Sequence, residues 1–227
     1  MKHILDNPIW LGLTTDNASF ASGTHAVKYF PSPVAPFAAF EEESPEHYQT
    51  LYDLIDEDRG MVVFSPRASL EVAPWRLINS NPGFQLVFEG ALNSPAKTEY
   101  TLVDLTERDV PAMLELTQLV PPGPFFKGTI AFGGYRGIFA DDKLVAMAGQ
   151  RLKGGGFTEI SAVCTHSDFG GRGFARQLVA DQIEAIIAAG NRPYLHVRAD
   201  NHLAKDLYER MGFVVRSEMN FYYIKKS

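Results

Sequence analysis

Apolar residues recur at helical spacing over 171–189, where Phe174, Leu178, Ile183, Ile186 and Ile187 predict one buried stripe that Gly190 is placed to end. Around it the pattern is that of strands. Residues 100–105 (YTLVDL), 135–140, 144–152, 157–165 and 194–199 read as strands, with turns at Asp141-Asp142 and at Gly154-Gly155-Gly156. Thr106 with Asp109 three positions on is a capping-box variant that opens a helix to about Val120. The run PPGPFFKG at 121–128 must be a loop. A short helix at 202–211 closes on Gly212, and 213–224 carries one or two final strands. Three consecutive strands joined by tight turns are antiparallel, so the fold class is α/β in the α+β sense, with a mixed sheet.

The first hundred residues are less regular. Residues 25–30 and 34–40 look like strands split by Pro31-Ser32-Pro33, 45–55 looks like a helix capped by Ser44, and 61–64 and 84–88 look like strands. The polar, proline-containing stretch 92–98 (LNSPAKT) is the best linker. The chain therefore divides into an N-terminal α/β region, 1–97, and a C-terminal unit, 98–227. The element order of the first echoes part of the second, which suggests a degenerate duplication.

Charge and cysteine content narrow the function. The 21 Lys and Arg against 27 Asp and Glu leave a formal net charge of −6, which argues against nucleic acid as the main partner because phosphate backbones need a positive field. The single cysteine, Cys164, cannot form an internal disulfide or a cysteine-rich zinc site. The start MKHILDNPIWLGL, broken by Asp6 and Pro8, does not read as a signal peptide, and no run approaches the roughly 18 apolar residues of a membrane span. A soluble, cytoplasmic protein is expected.

The chemistry concentrates in 159–176, EISAVCTHSDFGGRGFAR, where a strand runs through a glycine-rich turn into a helix. Successive glycines let backbone N–H groups converge at a helix N-terminus, an anion seat that Arg172 and Arg176 can reinforce. A plain strand-to-helix turn would look similar. A P-loop is excluded because Gly173 is followed by Phe174-Ala175 rather than Lys-Ser/Thr, and a dinucleotide fingerprint lacks its third glycine.

GGRGFA at 170–175 resembles the acetyl-CoA pyrophosphate loop of the GCN5-related N-acetyltransferases (GNAT), Gln/Arg-x-x-Gly-x-Gly/Ala, with Gly170 departing at the first position. LHVRADNHLAKDLYERMGF at 195–213 resembles the family's next strand and helix, and the C-terminal third is most similar to the FR47-like branch, related to the glycine N-acyltransferases. The resemblance covers about 99–224. It implies a GNAT fold and acetyl-CoA as acyl-donor substrate. The main chain at Val163, Cys164 and Thr165 would take the pantetheine arm, with the Val163 N–H facing the thioester carbonyl. The diphosphate would rest on the turn formed by Gly170, Gly171, Arg172 and Gly173 and on the first helical residues Phe174, Ala175 and Arg176. Asn201 matches the asparagine that helps hold the arm, and Tyr208 the tyrosine near the sulfur. Self-association as a homodimer is common in the family.

The reaction implied is transfer of acetyl to a primary amine by direct attack in a ternary complex. An alkylamine with a pKa near ~10 needs a base, and the departing thiolate needs an acid. Tyr208 is the acid candidate. Glu159 is the base candidate: it lies four residues before Val163, so strict alternation puts both on one face of the strand. Other readings stand beside these. Tyr208 could simply pack beside Leu207 and Met211, Asn201 could be only a helix cap, and Cys164 is expected to be a buried structural thiol rather than a nucleophile served by His166. His196 and His202 are expected to face core and solvent, and Phe125-Phe126 could wall an acceptor pocket. No metal-ligand spacing occurs. The competing function is a non-catalytic acyl-CoA sensor or interaction protein, motivated by Gly170 and the undefined N-terminal region, and it predicts coenzyme binding without turnover and a closed or protein-covered acceptor side.

Overall fold

The computed structural model describes residues 3–91 and 100–226, so the linker read at 92–98 lies outside the described residues. Side-chain caps set several helix starts. Asn7 accepts from the Trp10 amide, and Pro8 brings its preset φ, to open α1 (Pro8–Thr14). The strands β1 (Ser22–Gly23), β2 (Val27–Tyr29) and β3 (Ala38–Phe40) form a small antiparallel sheet. Ser44 caps α2 (Pro45–Leu54) through the His47 amide at 3.2 Å, as predicted. Next come β4 (Met61–Ser65) and β5 (Arg76–Phe88), the latter eight residues earlier in start than its apolar core suggested.

Beyond the undescribed segment, β6 (Val103–Asp104) is shorter than the expected strand. The Asp109 carboxylate accepts from the Thr106 N–H at 2.7 Å and its hydroxyl at 3.0 Å, and one 3-10 turn leads into α3 (Val110–Leu119). Then β7 (Arg136–Ala140) and β8 (Lys143–Gly154) pair through Asp141 and Asp142, both at positive φ. The order finishes with β9 (Phe157–Thr165), α4 (Phe174–Ala188), β10 (Arg192–Arg198), α5 (His202–Arg210) and a single long β11 (Phe213–Lys225).

Eight strands make one mixed sheet in the order β4-β11-β5-β10-β9-β8-β7-β6, antiparallel throughout except between β9 and β10. The sheet takes strands from both sides of the expected division at 97/98. β5 belongs to the first region by sequence, yet it sits between β10 and β11 in the middle of the sheet. β4 closes the edge beyond β11, and the small sheet abuts it through the Phe37–Val62 bridge. No second copy of the large sheet stands in the N-terminal region among the described residues.

Helices cover both faces. α4 and α5 lie on one, where Val179, Ile183, Ile186 and Tyr208 pack on Leu86, Leu195 and Phe213. The predicted α4 stripe holds except at Ile187, which is 44% exposed, while Val179 is buried instead. Gln182, also buried on that helix, donates to the Gly134 carbonyl at 2.7 Å. The opposite face is covered by α1 and α3, whose Leu13, Met113 and Leu116 share one core with Phe64, Met147 and Met219. Each fully buried aliphatic side chain contributes about 1.5–3 kcal/mol as an upper estimate, so this core, built from both halves of the sequence, binds them together. No helix among the described residues is long and apolar enough to cross a membrane.

Candidate active site

β9 and β10 pair from Phe157 opposite Arg192 to Ile160 opposite Leu195, and then part. A bulge accompanies the parting. Between Ser161 and Cys164 the register of β9 moves three residues while β8, from Gly149 to Met147, moves two. The extra residue falls at Ala162, whose φ of 55° is uncommon for a side chain with a Cβ. The registers pass over Ala162 and Val163 on both sides of the strand. The resulting gap opens into a cavity of about 1040 Å³, walled by 160–164 of β9 and 195–198 of β10.

The glycine-rich turn follows β9 and a short 3-10 turn. Gly171 and Gly173 have φ of 75° and 80°, and a Cβ on either would meet nothing within 4 Å. Backbone conformation, not close packing, calls for glycine there. Gly170 is extended, and its N–H is spent on the Ser167 carbonyl. The first ladder bond of α4 runs from the Gln177 N–H to the Gly173 carbonyl, and Gly173 offers no capping side chain. The helix ladder therefore leaves the amides of Gly173, Phe174, Ala175 and Arg176 unused, at the positive end of a 15-residue helix. Exposed Arg172 stacks on Phe169 at 4.7 Å, and exposed Arg176 lines a 230 Å³ cleft between α4 and α5. This donor set suits a diphosphate.

Tyr208 of α5 reaches the cavity from the other wall. It is 7% exposed, burial pushes its phenol above the ordinary range, and no hydrogen bond occupies its hydroxyl among the described residues. Asn201 caps α5 by accepting from the Ala204 amide at 3.1 Å and also lines the cavity, so its side-chain nitrogen stays available. Val163 and Cys164 line it as well. Cys164 is a buried free thiol that burial pushes up to about 12, which suits a structural role. Thr165 lies outside the lining, and its buried hydroxyl has no partner among the described residues. Phe126 lines the cavity, while Phe125 packs against Tyr135.

Glu159 is placed otherwise than alternation predicted. The extra residue at Ala162 reverses the parity of β9, so Val163 packs toward α4 while Glu159 lies on the opposite face. There it is fully buried and saturated. Arg151 donates to it through Nε at 2.7 Å and Nη2 at 2.6 Å, His196 Nδ1 lies 2.6 Å from it, and the Leu152 N–H approaches at 3.4 Å. Burial opposes its ionisation, but the charge and hydrogen bonds of Arg151, with His196, outweigh that and hold the carboxyl at about 2.

The pair belongs to a longer ladder. Arg216 of β11 donates to Gln85 of β5, Gln85 Nε2 lies 2.9 Å from His196 Nε2 on β10, and the chain continues through Glu159 of β9 to Arg151 of β8. Asp6 holds the outer end, 2.8 Å from Arg216. Since the Gln85 oxygen faces Arg216, its amide N–H faces His196, which assigns the histidine proton to Nδ1. Burial lowers the affinity of His196 for a second proton. Exposed His202 faces solvent and His196 the core, as expected. Local pattern could not have found Arg151, which lines the cavity beneath Phe37 and Phe64, because these rings come from β4 and the segment before β3, far away in sequence. No group of three metal-binding side chains occurs among the described residues.

The FR47-like protein family model matches residues 135–222. No curated protein matches. Among solved structures, a protein of the GNAT acetyltransferase family from Novosphingobium aromaticivorans DSM 12444 is 31% identical over 100% of both chains, with a TM-score of 0.90. A GCN5-related N-acetyltransferase from Kribbella flavida shares the fold at 16% identity and TM-score 0.61, covering 94% of this chain and 93% of that one. Another from Sphaerobacter thermophilus does so at 18% identity and TM-score 0.55, covering 78% and 64%. By its full-length likeness to the first of these, the chain belongs to the GNAT family of acetyltransferases, with an FR47-like C-terminal part.

Proposed function

We propose that the protein transfers an acetyl group from acetyl-CoA to a primary amine by direct attack within a ternary complex. The observation that carries this reading is the gap between β9 and β10, open to a cavity with Tyr208 and Asn201 on one side and an aromatic chamber on the other. The sensor reading differs in predicting CoA binding without turnover.

In this reading the pantetheine arm adds along the unpaired main chain of β9, and the diphosphate sits on the free amides of α4. The Val163 N–H would meet the thioester carbonyl, where an oxyanion donor contributes about 3–4 kcal/mol in comparable acyl transfers. A neutral amine attacks the carbonyl carbon, the carbon–sulfur bond breaks, and the Tyr208 phenol protonates the departing thiolate. Water entering by the cavity mouth takes the proton released by nitrogen, and the phenol regains one from solvent. The products are the acetamide and free CoA. Burial keeps the Tyr208 proton in place until a thiolate develops. With its lone pairs already occupied, Glu159 serves to hold Arg151 and His196, not to take the amine's proton.

The test is steady-state turnover of acetyl-CoA with a panel of amines. Tyr208→Phe is expected to lower kcat roughly a hundredfold with little change in CoA affinity by calorimetry. Full activity in that variant removes the acid assignment, and CoA binding without turnover on any amine favours the sensor.

A further inference from the structure

Arg151 has an unspent end. Its Nε and Nη2 are committed to Glu159, while Nη1 makes no hydrogen bond among the described residues and is not sealed off. The side chain is only 11% exposed, and it lines the cavity under the rings of Phe37 and Phe64. A buried guanidinium edge with two free donors is costly unless an acceptor oxygen meets it.

We infer that the acceptor carries an uncharged carbonyl next to its amine, as in an α-amino amide or the N-terminus of a peptide, and that Arg151 Nη1 reads this carbonyl. The inference rests on the acetyl-transfer reading and deepens it by naming the acceptor class.

Charge selects an amide over a carboxylate. Glu159 already neutralises Arg151, and Asp200 pairs with Arg198. The remaining charged residues of the lining are exposed Asp56 and Asp58 and half-buried Arg59, one negative charge in excess. An incoming carboxylate would add a second anion to a balanced buried pair in a cavity that two acids also line. An ammonium is drawn in by the same acids, and a carbonyl adds no charge.

Proton accounting points the same way. Glu159 is fully engaged by Arg151, His196 and the Leu152 N–H, so it offers the amine no free carboxylate. An α-amine titrates near ~7.7–8.0 and is roughly one-tenth neutral at pH 7, whereas an alkylamine near ~10.4 is neutral in fewer than about one molecule in a thousand. An acceptor whose amine sits beside a carbonyl needs no strong base. Its apolar body would lie among Phe37, Phe64 and Phe221.

Initial rates with acetyl-CoA and three matched probes test this: L-phenylalaninamide, phenethylamine and L-phenylalanine. The amide is expected to exceed both others in kcat/KM at least tenfold. Arg151→Lys keeps a cation for Glu159 but removes the planar fork. It should raise KM about tenfold for the amide and less than threefold for phenethylamine. Asp56→Asn with Asp58→Asn changes only exposed side chains and should improve L-phenylalanine severalfold relative to the amide. Equal rates on the three probes, preference for the free acid, or an equal loss on all probes in Arg151→Lys would overturn the carbonyl subsite while leaving acetyl transfer intact. No turnover on any probe by protein that binds CoA would remove acetyl transfer, and this inference with it.

Discussion

Glu159 and Gly173 show how a residue's neighbours decide what it can do. A carboxylate at this point of β9 looks like a base only until its partners are counted. Arg151, His196 and the Leu152 amide all donate to it. Glu159→Gln is therefore expected to cost about 3–5 kcal/mol in denaturant unfolding, because Arg151 is left as an uncompensated buried charge. The pH profile of kcat in the protein that remains folded should keep its shape. Unchanged stability with loss of the acidic limb would instead restore Glu159 as the base. Gly173 makes the opposite case, with open space where a side chain would go and a left-handed φ of 80° that resists one. Gly173→Ala is expected to cost about 1–2 kcal/mol and to weaken CoA binding severalfold by calorimetry, while kcat at saturating CoA persists.

At the scale of elements, the C-terminal strands and helices were legible wherever glycines or acidic turns bound them. β9, α4, β10 and α5 fall within a few residues of their predicted limits, and the capping box at Thr106 is present. The bulge at Ala162 was not legible, since neither glycine nor proline marks it, and it turned the prediction for the Glu159 face around. The glycine turn at 170–173 ahead of α4 was legible in local sequence, whereas Tyr208 was singled out only by the resemblance of its segment to the family's helix. The ladder from Arg216 to Arg151 was not legible, because five strands must assemble before its members meet. That ladder makes stability sensitive to acid in two stages. His196 binds its second proton less readily when folded than its ordinary value of 6.5, so the unfolded chain gains protons first and stability begins to fall below about pH 6.5. Glu159 is depressed from 4.5 to about 2, so its contribution is complete above about pH 4.5 and is lost as pH falls toward 2. Urea midpoints measured from pH 8 to pH 3 should decline in that order, and a flat profile from 8 to 5 would rule out the His196 stage.

Over the whole molecule, the notable departure is the origin of β5. Its composition gave no hint of its place, because pairing partners distant in sequence leave no local pattern. With β5 removed, β10 and β11 lose the strand that joins them, and the core shared by Leu13, Phe64, Met147 and Met219 loses one side. A fragment of residues 98–227 is expected to show no cooperative unfolding transition when made alone. Co-expression with residues 1–97 should restore a soluble, CoA-binding complex. A stable fragment with native-like melting would mean that the C-terminal unit is self-sufficient.

Residues 76–88 pair from end to end, across two register shifts, with 213–225, a strand far later in the sequence. During translation, β5 leaves the ribosome long before its mate exists, with an exposed edge that invites wrong partners. Sheet closure needs the pairing of 76–88 with 213–225, a long-range join that slows folding.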